Sequence, residues 1–203
     1  AGLGGGSADA AAVLRGLRAL FSLPLGDEAL RELALPLGAD VPFCVGGGTM
    51  LAEGIGEVLS PLPPMPPCHL VIVKPPCGSS TKAVYAALSL KALRPWEQPD
   101  ARLLENALRG QNVTLLGASL QNALEKPATE LQPVLLDYRQ FLTESGAAGA
   151  AMSGSGSAFF AVFPEAERDK AEQCIATGKK QFPAAAFFLC RPVSAEEVSA
   201  STI

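Results

Sequence analysis

Near its start the chain reads Gly2-Leu3-Gly4-Gly5-Gly6-Ser7-Ala8-Asp9, and a segment with apolar residues at helical spacing follows directly. Glycine lets the backbone adopt positive φ and approach a ligand closely. The first turn of a helix carries N–H groups without helical partners, and the helix dipole adds partial positive charge there. The stretch therefore predicts an anion site, with phosphate as the natural occupant, where a helix begins. A flexible glycine-rich terminus is the alternative interpretation.

The helix that follows is predicted to run from about Ala8 to Phe21. Its expected apolar face comprises Val13, Leu14, Leu17, Leu20 and Phe21. At its start, the Ser7 hydroxyl could hold a phosphate oxygen or a Mg²⁺ ion. Asp9 would be stabilised by the helix dipole and could also contact Mg²⁺. The stretch is not a Walker A motif, because no Gly-Lys-Ser/Thr follows it, and it lacks the spacing of the dinucleotide fingerprint.

A second glycine-rich stretch, Ser153-Gly154-Ser155-Gly156-Ser157, lies about 150 residues further along the chain. Its glycines would let the backbone crowd a ligand, and its hydroxyls could bind phosphate oxygens. The two stretches could therefore converge on one polyphosphate. An ordinary tight β-turn is the alternative.

Asp40 lies within Leu37–Cys44, which is predicted to be an apolar loop. Its neighbours are apolar and no cation is adjacent to it. A carboxylate beside a phosphate loop could accept a proton from an attacking hydroxyl, which is the base role in phosphoryl transfer. A helix-capping or turn aspartate is equally consistent with the sequence.

Three other polar residues attract attention. His69 is the single histidine, and because nothing nearby completes a Ser-His-Asp or Cys-His arrangement, it is predicted to be structural. Lys74 and Lys82 flank a loop that could meet an anionic substrate. Solvated lysines near the end of a strand are the more ordinary interpretation.

The composition, 48% hydrophobic and 18% charged with a net charge of −4, is typical of a soluble globular protein. Without clustered Lys and Arg, the charge argues against a nucleic-acid partner. No apolar run approaches the roughly 18 residues of a membrane helix, so no membrane partner is expected. Five cysteines without CxxC spacing are typical of buried thiols in a reducing compartment.

The order of elements predicts two domains. In the first, a second helix is expected to start with Asp27 as its cap and to stop at Pro36, before a hairpin that turns near Gly54–Gly56. The proline-dense stretch 61–67 is expected to connect the domains stiffly. Beyond it, the order strand, helix, strand, strand, helix, strand predicts a ferredoxin-like unit. The expected strands span 70–74, 149–152, 158–163 and 185–190, with one long helix over 127–145 and a frayed tail over 194–203.

Four stretches, in order along the chain, closely resemble the GHMP kinase superfamily. They are Gly2–Ser7, Leu37–Phe43, Gly54–Glu57 and Met152–Ala158. The resemblance implies an α+β fold of two domains. These would be an incomplete N-terminal nucleotide-binding domain over residues 1–62 and a ferredoxin-like C-terminal domain over residues 68–203.

The resemblance also implies an ATP-dependent kinase that uses Mg²⁺, with Asp40 as the catalytic aspartate. The residues it places around the ATP phosphates are Gly2, Leu3, Gly4, Gly5, Gly6, Ser7, Ala8 and Asp9, with Ser7 as a metal ligand. Those it places near the phosphates and the substrate are Ser153, Gly154, Ser155 and Gly156. The stretch around Asp40 resembles the branch of the family whose alcohol substrate is 4-diphosphocytidyl-2-C-methyl-D-erythritol, in non-mevalonate isoprenoid biosynthesis.

In this family a first motif precedes the stretch that begins at Gly2. It carries a lysine paired with the catalytic aspartate and much of the cytidine pocket, and no lysine of this chain matches it. We therefore expect the chain to need a missing N-terminal segment of the same protein, and to be inactive or nearly so by itself. A non-catalytic nucleotide-binding or interaction module that keeps the family scaffold is the alternative function.

Overall fold

The computed structural model describes residues 2–89 and 99–200. The chain divides into two compact units. The N-terminal unit comprises Gly4–Pro64 with Val193–Ile203, and the C-terminal unit comprises Met65–Pro192 with Ala1–Leu3. The division falls within the proline-rich stretch, but each chain end groups with the opposite unit. The units therefore differ from the predicted ranges 1–62 and 68–203 at both termini.

Three helices and a hairpin open the N-terminal unit. They are α1 (Gly5–Leu20), α2 (Asp27–Ala34), α3 (Val41–Gly46), β1 (Met50–Glu53) and β2 (Val58–Pro61). Both α1 and α2 pack on α3, and the two strands pair in antiparallel fashion. The small core between the helices is formed by Ala11, Leu30, Ala34, Val41 and Val45.

Several local predictions in this unit are wrong in detail. The predicted apolar loop is instead helical from Val41 to Gly46. Pro42 is compatible with this helix because it stands in the first turn, where backbone N–H groups have no helical partner. Gly26 rather than Asp27 precedes α2, and Asp27 begins the helix and accepts a bond from Arg18 (2.5 Å). The helix α2 ends at Ala34 and continues as a 3₁₀ turn that contains Pro36.

The apolar face predicted for α1 is largely exposed in the described structure. Val13, Leu17 and Phe21 are 60%, 43% and 64% exposed, and Leu20 is 75% exposed. Of the predicted set, Leu14 alone packs against the core, because α2 and α3 cover the side of α1 that carries Ala11. Helical periodicity indicated an apolar side of α1 but did not show which part of it these neighbours bury.

The C-terminal unit is built on a four-stranded sheet. Its elements are β3 (Cys68–Lys74), α4 (Thr81–Ala87), α5 (Ala101–Arg109), α6 (Val113–Ala118), α7 (Glu125–Leu131), α8 (Leu135–Glu144), β4 (Gly149–Met152), β5 (Phe159–Pro164), α9 (Arg168–Gln181) and β6 (Ala186–Cys190). The strand order is β4-β5-β3-β6, with antiparallel neighbours throughout. This is the predicted ferredoxin-like arrangement, in which β5 lies between the two strands of a split crossover.

Alternate residues of the central strands form the core of this unit. Val71 pairs with Ala161 and Val73 pairs with Phe159, and all four are fully buried. Side chains of a strand alternate between its two faces, so this register puts one apolar face against the helices. The helices contribute Leu135, Tyr138, Leu142, Ala171 and Cys174 to the same cluster.

The single helix expected over 127–145 is two helices, α7 and α8. Pro133 separates them, because proline lacks an N–H and disfavours helical geometry at the residue before it. Gln132 accordingly leaves the helical region, at φ −138° and ψ 84°. Side chains cap the starts of α4 and α5: Ser80 accepts from Ala83 N (3.3 Å) and Asp100 accepts from Arg102 N (2.9 Å).

The frayed tail predicted from residue 194 is wrong over its described part, which forms α10 (Ala195–Ala200). Ser194 Oγ accepts from Glu197 N (3.1 Å), and Glu197 Oε2 accepts from Ser194 N (2.8 Å). This reciprocal pair is a capping box, which stabilises the start of a short helix. The helix packs on α3, and Val198 lies so close to Gly47 that a Cβ there would meet it at 3.1 Å.

All five cysteines are free thiols. Burial raises the pKa of Cys68 and Cys174, and it also raises the pKa of the half-buried Cys44. Among the described residues, none of the helices combines the length and apolar character needed to cross a bilayer.

The burial of Cys68 and Cys174 should slow the alkylation of their thiols. A raised pKa moves thiolate formation to higher pH, and thiolate is the reactive form. At pH 8 we expect iodoacetamide to label Cys68 and Cys174 more slowly than the half-buried Cys190, by about tenfold or more. Labelling of the two should accelerate as the pH is raised, and peptide mass spectrometry gives the rate at each site. Equal rates in the native chain would contradict the burial of Cys68 and Cys174, and the denatured chain serves as the reference.

Candidate functional site

The start of α1 presents unused backbone donors. The first helical bond runs from Ala8 N to Gly4 O (2.9 Å), so the N–H groups of Gly5, Gly6 and Ser7 precede the helical bonding pattern. Gly4 takes the left-handed conformation (φ 61°), no side chain caps the helix, and its first turn carries no acidic residue. These donors and the dipole of a 16-residue helix fit an anion.

The residues at this helix start are accessible. Gly4, Gly5, Gly6, Ala8 and Asp9 are exposed, and Ser7 is half-buried. Ser7 therefore lies among the residues whose N–H groups are unused, and it keeps part of its surface accessible.

Asp40 stands immediately before α3 with an exposed side chain. Its carboxylate makes no capping bond to the helix, which leaves it available. Arg15 of α1 donates to Cys44 O (2.6 Å) and ties α1 to α3. Burial is the largest cause of the raised pKa of the Cys44 thiol. The Asp40 carboxylate raises this pKa further, while Arg15 lowers it. Asp40 and Arg15 therefore both place charge near the same thiol.

The hairpin turn at Gly54–Glu57 packs on the residue before Asp40. Gly56 has φ 118°, and a Cβ there would lie 3.0 Å from Ala39 O. The turn is closed by Glu57 Oε2, which accepts from Ile55 N (2.7 Å). The Gly54–Glu57 stretch therefore supports the backbone that carries Asp40.

In the C-terminal unit, the second glycine loop connects β4 to β5. Gly154 and Gly156 have φ of 56° and 80°, which glycine adopts without strain. Ser153 N donates to Ala158 O (2.9 Å) and Gly156 N donates to Ser153 O (3.0 Å). The loop is thus a tight turn between two strands.

The hydroxyls of this loop are largely engaged by the protein. Ser155 Oγ bonds with Thr81 Oγ1 (2.8 Å), and Ser79 Oγ donates to Ser155 O (2.6 Å). Ser157 is fully buried. The Ser155 and Ser157 hydroxyls therefore have partners within the protein, while Ser153 and Ser155 are half-buried and Gly154 is exposed.

The structure brings Gly2 onto the second glycine loop. Gly2 has φ 85°, and a Cβ there would lie 3.0 Å from both Ser153 O and Gly156 O. Gly2 therefore lies against the backbone of this loop. Leu3 belongs to the same unit, whereas Gly4–Asp9 and Asp40 lie in the N-terminal unit.

Sequence reasoning missed or misplaced several side chains. Lys74, considered as a contact for an anionic substrate, donates three bonds within the protein, whereas Lys82 is exposed. Asn122 was overlooked although it bonds the second glycine loop. No local signal marks Asn122, because its partners lie 30 and 32 residues away. His69 Nε2 lies 3.2 Å from Glu165 O.

Two family models match the chain. The GHMP kinases N terminal domain matches residues 1–48, and GHMP kinases C terminal matches residues 98–182. A 4-diphosphocytidyl-2-C-methyl-D-erythritol kinase of Carboxydothermus hydrogenoformans is 45% identical over 170 residues, which cover 84% of this chain and 59% of that protein. The kinase of the same name from Exiguobacterium sibiricum is 46% identical over 162 residues, which cover 80% of this chain and 56% of that protein. The chain spans less than two thirds of the length of these relatives.

Two solved kinase structures are also similar to this chain. A crystal structure of 4-(cytidine 5'-diphospho)-2C-methyl-D-erythritol kinase superposes with a TM-score of 0.73 at 36% identity, covering 96% of this chain and 67% of the other. A homoserine kinase of Cytophaga hutchinsonii superposes with a TM-score of 0.72 at 22% identity, covering 88% of this chain and 61% of the other. At that identity the second likeness shows the fold alone.

Proposed function

Because the chain belongs to the GHMP kinase family, we propose that the natural protein containing it is an ATP-dependent kinase that phosphorylates an alcohol. The alcohol we propose is a hydroxyl of 4-diphosphocytidyl-2-C-methyl-D-erythritol, in the non-mevalonate route to isoprenoids. The observation that carries this proposal is the name of the relatives, which are 45% and 46% identical over most of this chain.

We assign the base role to Asp40. A group that accepts the proton of an attacking hydroxyl must be reachable by the substrate. Asp40 is exposed, makes no capping bond, and stands on a loop supported by the Gly54–Glu57 turn. The carboxylate can orient the hydroxyl and accept its proton as the bond to phosphorus forms.

The start of α1 fits a nucleotide phosphate. The N–H groups of Gly5, Gly6 and Ser7 can donate to phosphate oxygens, and no acidic side chain of the first turn opposes a negative ligand. Bound ATP with Mg²⁺ would supply the transferable phosphoryl group and neutralise part of its charge. Within the described residues, no group of three or more His, Cys, Asp or Glu side chains is placed to hold a metal. We propose that the Mg²⁺ ion is held mainly by phosphate oxygens, with Ser7 Oγ as a protein ligand.

The remaining parts of the site extend the proposal. We assign Gly2 and Leu3, with Ser153–Gly156, to contacts with phosphates and substrate through backbone groups and the Ser153 hydroxyl. The chain spans 56–59% of the relatives' lengths, so we also propose that a lysine partner for Asp40 comes from outside these 203 residues. The free thiols suit a reducing compartment, such as a bacterial cytoplasm or a plastid stroma.

The test is ADP formation by the natural protein that contains this chain, with ATP, Mg²⁺ and 4-diphosphocytidyl-2-C-methyl-D-erythritol. We expect turnover that depends on this alcohol and is absent with homoserine or mevalonate. Turnover with one of those alcohols instead would keep the kinase class and overturn the substrate. A folded protein without turnover on any of them would overturn the kinase proposal in favour of a nucleotide-binding or interaction module.

A further inference from the structure

The ammonium group of Lys74 is fully used inside the protein. At the end of β3, its Nζ donates to Pro75 O (2.7 Å), Cys77 O (2.9 Å) and Ser157 Oγ (2.9 Å). An ammonium has three protons, so each has an acceptor. Ser157 Oγ in turn donates to Cys77 O (2.6 Å). Lys74 therefore ties the segment after β3 to the last residue of the second glycine loop, with no proton left for a ligand.

Asn122 holds the other end of the same loop. Its Nδ2 donates to Met152 O and Gly154 O, both at 2.8 Å, and its Oδ1 accepts from Leu124 N (2.9 Å). Both amide protons and the carbonyl are thus engaged, which sets the orientation of the side chain. Glu125 adds a bond from Met152 N to its Oε2 (3.0 Å).

These contacts act on a loop that contains flexible residues. The loop contains two glycines in the left-handed region, and glycine has the largest conformational freedom in an unfolded or loosened state. Backbone donors stabilise a phosphoryl group best when they are held in place before the ligand arrives. The bonds from Lys74 and Asn122 fix both ends of the loop and so supply this preorganisation. Gly2 rests on the same loop, so its position depends on the loop geometry as well.

We infer that Lys74 and Asn122 are positioning residues, which set the conformation of Ser153–Gly156 from its two ends and act on ATP and substrate only through it. The inference rests on the proposed function for its link to catalysis. Its structural part concerns the loop alone and can be tested on the chain without any ligand.

The test is hydrogen exchange of the loop amides in the ligand-free chain, comparing wild type with Lys74→Met and Asn122→Ser. We expect the amides of Ser153 and Gly156 to exchange at least about tenfold faster in each variant, while the β3 amides keep their protection. Lys82→Met and Asn106→Ser, at exposed positions, are the matched controls and should leave the loop unchanged. If Lys74→Met fails to fold, Asn122→Ser provides the test by itself.

If the amides of Ser153 and Gly156 exchange as slowly in folded variants as in wild type, the inference is overturned. That result would mean that Lys74 and Asn122 do not hold the loop in the ligand-free chain. In the natural protein, we expect Asn122→Ser to raise KM for ATP and lower kcat/KM about 10- to 100-fold, as a misplaced binding loop does. Lys74→Arg should not rescue Lys74→Met, because a planar guanidinium cannot reproduce three bonds from one nitrogen. Rescue by arginine would overturn the positioning role of Lys74. Absence of turnover in the wild-type protein would overturn the proposed function, not the loop assignment.

Discussion

Asp40→Asn is expected to lower kcat about 10²- to 10⁴-fold in the natural protein, with little change in KM for ATP. Asparagine keeps the size of the side chain but cannot accept a proton from the substrate hydroxyl. The exposed Asp40 carboxylate makes no capping bond, so the variant should fold and melt like wild type. Steady-state ADP formation with saturating ATP, Mg²⁺ and 4-diphosphocytidyl-2-C-methyl-D-erythritol measures the effect.

Asp137→Asn is the matched control, since Asp137 is an exposed aspartate in the first turn of α8. It should retain kcat within about twofold, as surface substitutions usually do. An Asp40→Asn protein with wild-type kcat would remove Asp40 from the chemistry. A fall in melting temperature that matches the loss of activity would assign Asp40 a structural role instead.

Gly149→Ala is expected to destabilise the C-terminal unit by about 3 kcal/mol or more. Gly149 and Gly117 bring β4 and α6 into direct backbone contact, and a Cβ on either residue would overlap backbone atoms of the opposite segment. Backbone cannot rotate away as a flexible side chain can, so strand and helix would have to separate. A loss of this size lowers the melting temperature by roughly 6–12 °C in a chain of this length.

Thermal unfolding followed by circular dichroism measures this shift, with Gly78→Ala as the control. A Cβ on Gly78 would meet no atom within 4 Å, and its φ is outside the left-handed region. The control should therefore melt close to wild type. A Gly149→Ala protein that melts with the control would mean that α6 does not pack on β4 through these glycines.

Much of the local structure could be predicted from neighbouring residues. Ser80 and Asp100 cap their helices through bonds to residues two or three positions further on, so these caps depend on neighbouring residues alone. The apolar strands around Val71 and Phe159 were also predictable, because a buried strand needs a run of such side chains. Their order along the chain was enough to predict the ferredoxin-like unit.

Other elements escaped prediction because their cause lies outside the segment. The helix α3 carries a proline in its first turn and resembles a loop by composition, yet it buries Val41 and Val45 against α1 and α2. In α10, a capping box and a contact with Gly47 order residues that composition marked as a tail. Apolar periodicity across Pro133 favoured one helix, but the missing N–H of proline divided it.

The candidate site shows the same distinction between local and distant causes. The sequence by itself determined where the two glycine stretches lie and that the first of them leads into a helix, because glycine conformation and helix termini are properties of a few adjacent residues. Only the tertiary structure decided that Lys74 is used within the protein, since its partner Ser157 is 83 residues away. It likewise decided that Asn122 orders the second glycine loop. Hydrogen bonds between distant side chains depend on which strands and helices become neighbours, and that is settled by the packing of the whole unit.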